Sequence, residues 1–398
     1  MKMTSRFAMV AAAGVLLGAA VTSAKAADLG GGCCADLEER VAELEATTAR
    51  KGNRVVTLQV YGTVAKGLLV FDDGVDSDAF VVDNDAITSV LGFKGEATVK
   101  PGVKAGFNIE LYIGDSNSGL VSQDDDEGDP GILIRKSFVY IESERYGRVS
   151  IGQQSTAADG VTAVSLANTL VSGSPDHGFS LEVAGTGGII LGEFANDFDA
   201  GRDDVVRYDS PSVYGFILSA AWGDDDYYDL ALRFAKEWNS IKIAAAIGYS
   251  NIDPQTGDAD GDFDGNLGLA SEILSGSISV MHTPTGLFIN FAAGQKELKD
   301  DEDAQGSFWF TQAGLERNWF GYGATTLYGE YGQYDDIATL NGGTSSDVNR
   351  FGFGVVQHFD SAALDLFAQA TFWSFDDING DDDVEDLSTI MIGAKIDF

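Results

Sequence analysis

Three histidines, two cysteines and six prolines are all that 398 residues contain. The histidines, His177, His282 and His358, have no nucleophile and acid partner at a recognisable spacing, which argues against an enzyme. Basic residues are scarce as well: 25 Lys and Arg stand against 62 Asp and Glu, for a net charge of −37. A surface of that sign repels nucleic acid and excludes it as a partner. After an apolar run at Phe7–Val21, nothing approaches 18 consecutive apolar residues, so no transmembrane helix is expected.

What is present is glycine (49), phenylalanine (24) and tyrosine (13), within a hydrophobic content of 44%. That content is too high for a disordered acidic chain, and the aromatic share favours strands. Lys2 and Arg6 precede the apolar run, and Ala24-Lys25-Ala26 fits a small-x-small cleavage site. Residues 1–26 therefore read as a secretory signal peptide, with Ala27 first in the mature chain. Removing Lys2, Arg6 and Lys25 takes the charge from −37 to −40. Residues 27–54 form an N-terminal segment in which Leu37, Val41, Leu44 and Thr48 make a seam of about two heptads. Such a helix is too short to hold a coiled coil alone. It either bundles between protomers, or packs on the mouth of the fold that follows it or frays. Cys33 and Cys34, adjacent at its start, either bond between protomers or stay inert thiols; they lack metal-ligand spacing.

From Val55 onward the dominant period is two. Val103, Ala105, Phe107, Ile109, Leu111 and Ile113 alternate with Lys104, Gly106, Asn108, Glu110 and Tyr112. Tyr228–Phe234, Ile241–Tyr249 and Ile390–Phe398 repeat the pattern, giving each segment one oily and one polar face. Sixteen candidate strands follow: 55–71, 86–100, 102–114, 132–145, 147–154, 203–210, 213–223, 227–238, 241–251, 269–282, 287–295, 307–318, 322–334, 348–360, 363–375 and 386–398. Tight turns such as Pro101-Gly102 and Asn239-Ser240 alternate with long connections rich in Asp, Gly and Ser. Aromatics near segment ends (Tyr112, Trp222, Tyr227, Tyr228, Trp238, Trp309, Trp319, Tyr322, Trp373) suit two interfacial girdles. The expected fold is all-β: a 16-stranded antiparallel transmembrane β-barrel over 55–398, in the outer membrane, with a short N-terminal periplasmic helix.

One connection, about 155–202, is far longer than the rest. Irregular backbone is allowed at membrane depth where it lines water, so this segment is expected to fold into the lumen as a constriction. It carries Asp159, Asp176, Glu182, Glu193, Asp197 and Asp199. Lumen-phase positions on the strands supply Lys94, Lys100, Lys104, Arg148, Arg207 and Arg233. An acidic loop against a basic wall would set a transverse field across the pore. Alternatively these cations pair with nearby Glu96, Glu110, Asp209 and Asp229.

Asp258, Asp260, Asp262 and Asp264 alternate in an external connection, and D-G-D-F-D-G from Asp260 matches the first half of a calcium loop. Its twelfth position is Ser271 rather than Glu, so a solvated acidic loop with loosely bound divalent cations is the plainer reading. No other cofactor is implied. Acidic clusters at the outer mouth predict modest cation selectivity and divalent bridging to anionic lipid such as lipopolysaccharide.

Three segments resemble the general porins of alphaproteobacteria, of the rhizobial type: CCADLEERVAELEATTARKGNR (Cys33–Arg54), RYDSPSVYGF (Arg207–Phe216) and the strand ending at Phe398. The resemblance implies a homotrimer of sixteen-stranded barrels, a third loop folded inward and diffusion of small hydrophilic solutes. It also implies that Phe398 is an assembly signal for barrel-assembly machinery. A substrate-specific channel and a structural or adhesive barrel are the rival readings.

Overall fold

The computed structural model describes residues 55–125, 128, 131–176, 179–223, 226–253, 270–301, 303–378 and 384–398. The leader, the N-terminal helix, Cys33, Cys34, His177 and Asp258 to Asp264 lie outside the described residues.

Among the described residues, seventeen strands occur in chain order: β1 Thr57–Asp72, β2 Ser77–Asp83, β3 Val90–Lys100, β4 Val103–Gly114, β5 Gly131–Ser143, β6 Gly147–Ser155, β7 Arg202–Asp209, β8 Phe216–Gly223 and β9 Tyr228–Trp238. Then follow β10 Ile241–Ile252, β11 Ser271–His282, β12 Leu287–Leu298, β13 Gln305–Arg317, β14 Thr325–Asp335, β15 Ser346–Phe359, β16 Leu364–Ile378 and β17 Leu387–Asp397. All neighbours are antiparallel, and β17 closes on β1 from Thr63↔Asp397 to Asp72↔Ser388. Closure satisfies every edge, which a sheet in hydrocarbon requires.

The wall has sixteen positions. β1 pairs with β3 over Thr57–Thr63 and with β2 over Lys66–Asp72, so β2 and β3 are one wall strand broken in the middle. At the break the ladder is patched locally. The Ala65 N–H donates to Ser89 Oγ at 3.1 Å, and Asn84 N donates to Ala65 O at 3.2 Å. The expected second strand, 86–100, thus gains an earlier half at 77–83.

The expected phase is the observed one. Leu232, Ile247, Ile278 and Ile392 face outward and stand 41–54% exposed, as a lipid-facing band does. The girdle needs correction: Tyr112, Tyr227 and Trp373 face the lumen and are buried. Trp222, Tyr228, Trp238 and Trp309 face outward as expected, joined by Tyr208, Tyr249 and Tyr331, and the expected Trp319 and Tyr322 are exposed in the β13–β14 connection; all of these lie between β7 and β14. Among the described residues, the outward faces of β16, β17 and β1–β5 carry none. That sector instead carries Lys66, exposed beside Leu68 and Val81 and paired through Nζ to the buried Asp83 at 2.8 Å.

Candidate functional site: a lumen lined on one side

The connection 156–201 folds into the barrel and follows the inner wall from β9 round to β15. Its root is held by main-chain contacts. Arg207 Nη1 donates to Ser155 O (2.9 Å) and Thr156 O (2.6 Å). Arg233 donates to Ala157 O and Asp159 O, both at 2.7 Å. Asp229 Oδ2 accepts the Ala158 N–H at 2.6 Å. Further on, the amides of Val164 and Leu166 donate to the hydroxyls of Ser277 (3.1 Å) and Ser279 (3.0 Å). Thr169 donates to Gln312 at 2.6 Å, and Asn84 Nδ2 reaches Val171 O at 2.7 Å. The return limb is tied to the outgoing one by Thr162 to Asp197 (2.7 Å) and Gly160 N to Asp199 (2.9 Å).

The strands under the connection are built of small residues. Ala231, Ala244, Ala246, Gly248, Ser275, Ser277 and Ser279 face inward on β9, β10 and β11, and all are covered. Small residues facing a lumen would border water equally well; here they make room for chain. Leu166, Leu181, Phe194 and Phe198 of the connection pack in one apolar cluster with Phe308, Phe310, Trp373 and Phe375 of the wall. Burying such side chains contributes about 1.5–3 kcal/mol each. This side of the lumen is therefore dry.

The wall from β3 to β6, with β1, is left uncovered, and charges line it. Lys104 pairs with Glu96 at 2.7 Å, and Lys94 sits 5.1 Å above the Tyr61 ring. Arg148 stacks 3.9 Å over Tyr140. Glu110, buried, accepts from Arg135 (2.5 Å), Lys136 (3.0 Å) and the Tyr61 hydroxyl (2.8 Å).

The sequence-derived residues therefore separate. Lys94, Lys104, Glu110 and Arg148 share the uncovered wall, and Lys100 is exposed at its short-turn rim. Arg207 and Arg233 face inward as expected but lie beneath the root of the connection, 7% exposed each, with Arg207 also paired to Asp209 at 2.9 Å. Asp176 is exposed and Asp159 half-buried, while Asp197 is buried. These loop acids repel one another. Burial and the nearby Asp176 push the Asp197 carboxyl up to about 7. Burial, Asp159 and Asp197 push Asp199 well above its ordinary value.

Arg135, Lys136, Glu330 and Arg350 were not expected. Adjacent cations in a strand should face opposite sides, but a bulge opposite Glu110/Leu111 lets both Arg135 and Lys136 reach Glu110. The signal was there: two neighbouring charges inside an apolar strand. Among the described residues, no group of three His, Cys, Asp or Glu is arranged to hold a metal ion.

A closed sixteen-position barrel with an oily exterior and a lumen narrowed from within defines a membrane channel. The sequence profile of the Gram-negative porins matches residues 8–378, and the chain belongs to that family. It is an outer-membrane channel for passive diffusion and not an enzyme. No curated protein matches at a significant level. Solved structures share the fold: an anion-selective porin from Comamonas acidovorans (TM-score 0.59, 16% identity, 86% of this chain and 100% of that one). The outer-membrane channel DcaP of Acinetobacter baumannii follows (TM-score 0.55, 16% identity, 88% and 99%). A trimer form of OmpT from Vibrio cholerae has a TM-score of 0.54 at 16% identity, covering 86% and 100%.

Proposed function

We propose that this chain is a general diffusion porin of the alphaproteobacterial type, passing ions and small hydrophilic solutes between the acidic connection and the uncovered β3–β6 wall. The supporting observation is the one-sided seating of residues 156–201, which leaves Lys94, Lys104, Arg135, Lys136 and Arg148 opposite a connection carrying Asp159 and Asp176. Opposed charges across a narrow aqueous gap favour polar over apolar solutes.

Modest cation selectivity is part of this reading. It rests on the charge of −37 and on acids such as Asp72, Asp76, Asp124, Asp301 and Asp336 at the long-connection end. The same acids, with Asp258 to Asp264, are where loosely held divalent cations would bridge to lipopolysaccharide. A reversal potential in a salt gradient tests the selectivity, and a clear anion preference contradicts it. A substrate-specific channel is the second reading, favoured by Tyr61 and Tyr140 beside cations on the open wall. Saturable block by one solute would establish it.

The partner we propose is two further copies of this chain. The sector β16 to β5 supports this, since its strands lack outward Tyr and Trp and it leaves the Lys66 side chain exposed where lipid contact would be unfavourable, while its partner Asp83 is buried. For Phe398 we propose the role of assembly signal. Its ring packs over Gly62, where no methyl group would fit, and its backbone exchanges two 3.0 Å hydrogen bonds with that residue.

A further inference from the structure

The device that holds the root of the inward connection recurs about midway along it. At the root, Arg207 pairs with a wall carboxylate, Asp209, and turns its remaining donors to main-chain carbonyls of residues 155 and 156. On the opposite wall, Arg350 of β15 pairs with Glu330 of β14 at 2.5 Å. Its other terminal nitrogen donates to Ser174 O (2.8 Å) and Pro175 O (3.3 Å). Both side chains are buried, and the guanidinium lies between the rings of Phe310 (5.3 Å) and Trp373 (5.1 Å).

Glu330 is also wired to the same stretch of chain. Gln312 donates to it at 3.3 Å and to Gly173 O at 3.2 Å, while accepting from Thr169 at 2.6 Å. Gln369 donates to Glu330 at 2.9 Å. Two tyrosines complete the grip: Tyr328 reaches the Ser172 hydroxyl at 2.9 Å, and Tyr334 reaches Pro175 O at 2.8 Å. A pair serving only to join β14 to β15 would not send its free donors into the connection. A guanidinium is suited to both tasks at once, because its planar fork offers donors on two edges.

We propose that Arg350 and Glu330 are positioning residues: a latch that pins residues 169–175 to the wall and so fixes the width of the open half of the lumen. This rests on the reading of the chain as a diffusion channel. Clamped at its root and again about midway along, at residues 174 and 175, the connection is a fixed strut rather than a gate. Loss of the Arg350–Glu330 latch leaves the root in place and loosens residues 169–175, which keep their tethers to Asn84, Tyr328 and Tyr334, toward the water path.

The test is single-channel recording of the full-length native oligomer, comparing wild type with three variants. Arg350→Met/Glu330→Gln removes both buried charges together, so neither is left unpaired. Tyr328→Phe removes one contact to the same stretch without touching the ion pair. Arg350→Lys restores the charge without the fork. The expected result for the double variant and for Tyr328→Phe is an open-channel current that visits levels absent from wild type. Their occupancy should rise about fivefold for a single lost buried hydrogen bond, and more for the double variant. Arg350→Lys should fall between wild type and the double variant, and heat resistance of the folded barrel on gels should be unchanged. Wild-type step size and noise in both the double variant and Tyr328→Phe would overturn the latch. If the double variant does not assemble, Tyr328→Phe decides alone. Absence of conductance in wild type would instead overturn the channel reading.

Discussion

Gly248 of β10 faces Ala158 of the inward connection so closely that a methyl group on Gly248 would stand 2.8 Å from the Ala158 Cβ and 3.2 Å from Val161. The wall was shaped to receive this segment. Gly248→Leu is expected to unseat the root of the connection, at a cost of about 1–3 kcal/mol for overpacking, while leaving the barrel closed. Single-channel recordings should show altered step size in a barrel that still runs as a folded species on gels.

Asp197 makes the seating of the connection depend on pH. It lies outside the spanning strands, and its carboxyl is held up to about 7 against an ordinary 3.8. A raised acid binds more protons folded than unfolded. Stability is therefore gained as pH falls from about 7 and lost as pH rises through it. Current noise should be lower at about pH 5 than at about pH 8. Asp197→Asn should remove most of that difference, and an undiminished difference would point to Asp199 or another group.

Glu110 is contacted by both Arg135 and Lys136. Glu110→Gln leaves two partly buried cations without their counter-charge. Breaking such a pair costs about 3–5 kcal/mol, so the variant should melt earlier. Where it still inserts, its reversal potential should move toward anions, because the uncovered wall has gained positive charge.

Val81 and Leu232 are both outward and both exposed, at 74% and 41%, but they lie in different sectors. Leu232 sits where the Tyr and Trp girdle runs; Leu232→Arg should impair insertion, by about 2–4 kcal/mol at mid-depth. Val81 lies beside the Lys66–Asp83 pair in the sector without a girdle. Val81→Arg should release single barrels from the oligomer in mild detergent. A stable oligomer in that variant would place the copies elsewhere.

Much of the barrel was legible because alternation is forced on any strand with oil on one side and water on the other. Each of the sixteen expected strands has its counterpart, and the phase of Ile390 to Phe398 holds to the last residue. β2 escaped notice because its seven residues carry acids at both ends and merge with the connection before it. The bulge beside Glu110 breaks the period that the reading relied on. The site was harder to read. Alanine and serine facing a lumen look the same whether they border water or a second layer of chain. Arg207 and Arg233 look the same whether they face solute or main-chain carbonyls. Only the apolar residues of the connection, Phe179, Leu181, Phe194 and Phe198, marked it as something that packs.

The most direct measurement is conductance of the purified native oligomer in a planar bilayer, recorded in a salt gradient. Stable steps grouped in threes, with a reversal potential of modest cation preference, are the predicted result. A barrel that folds and inserts but carries no current would contradict the account.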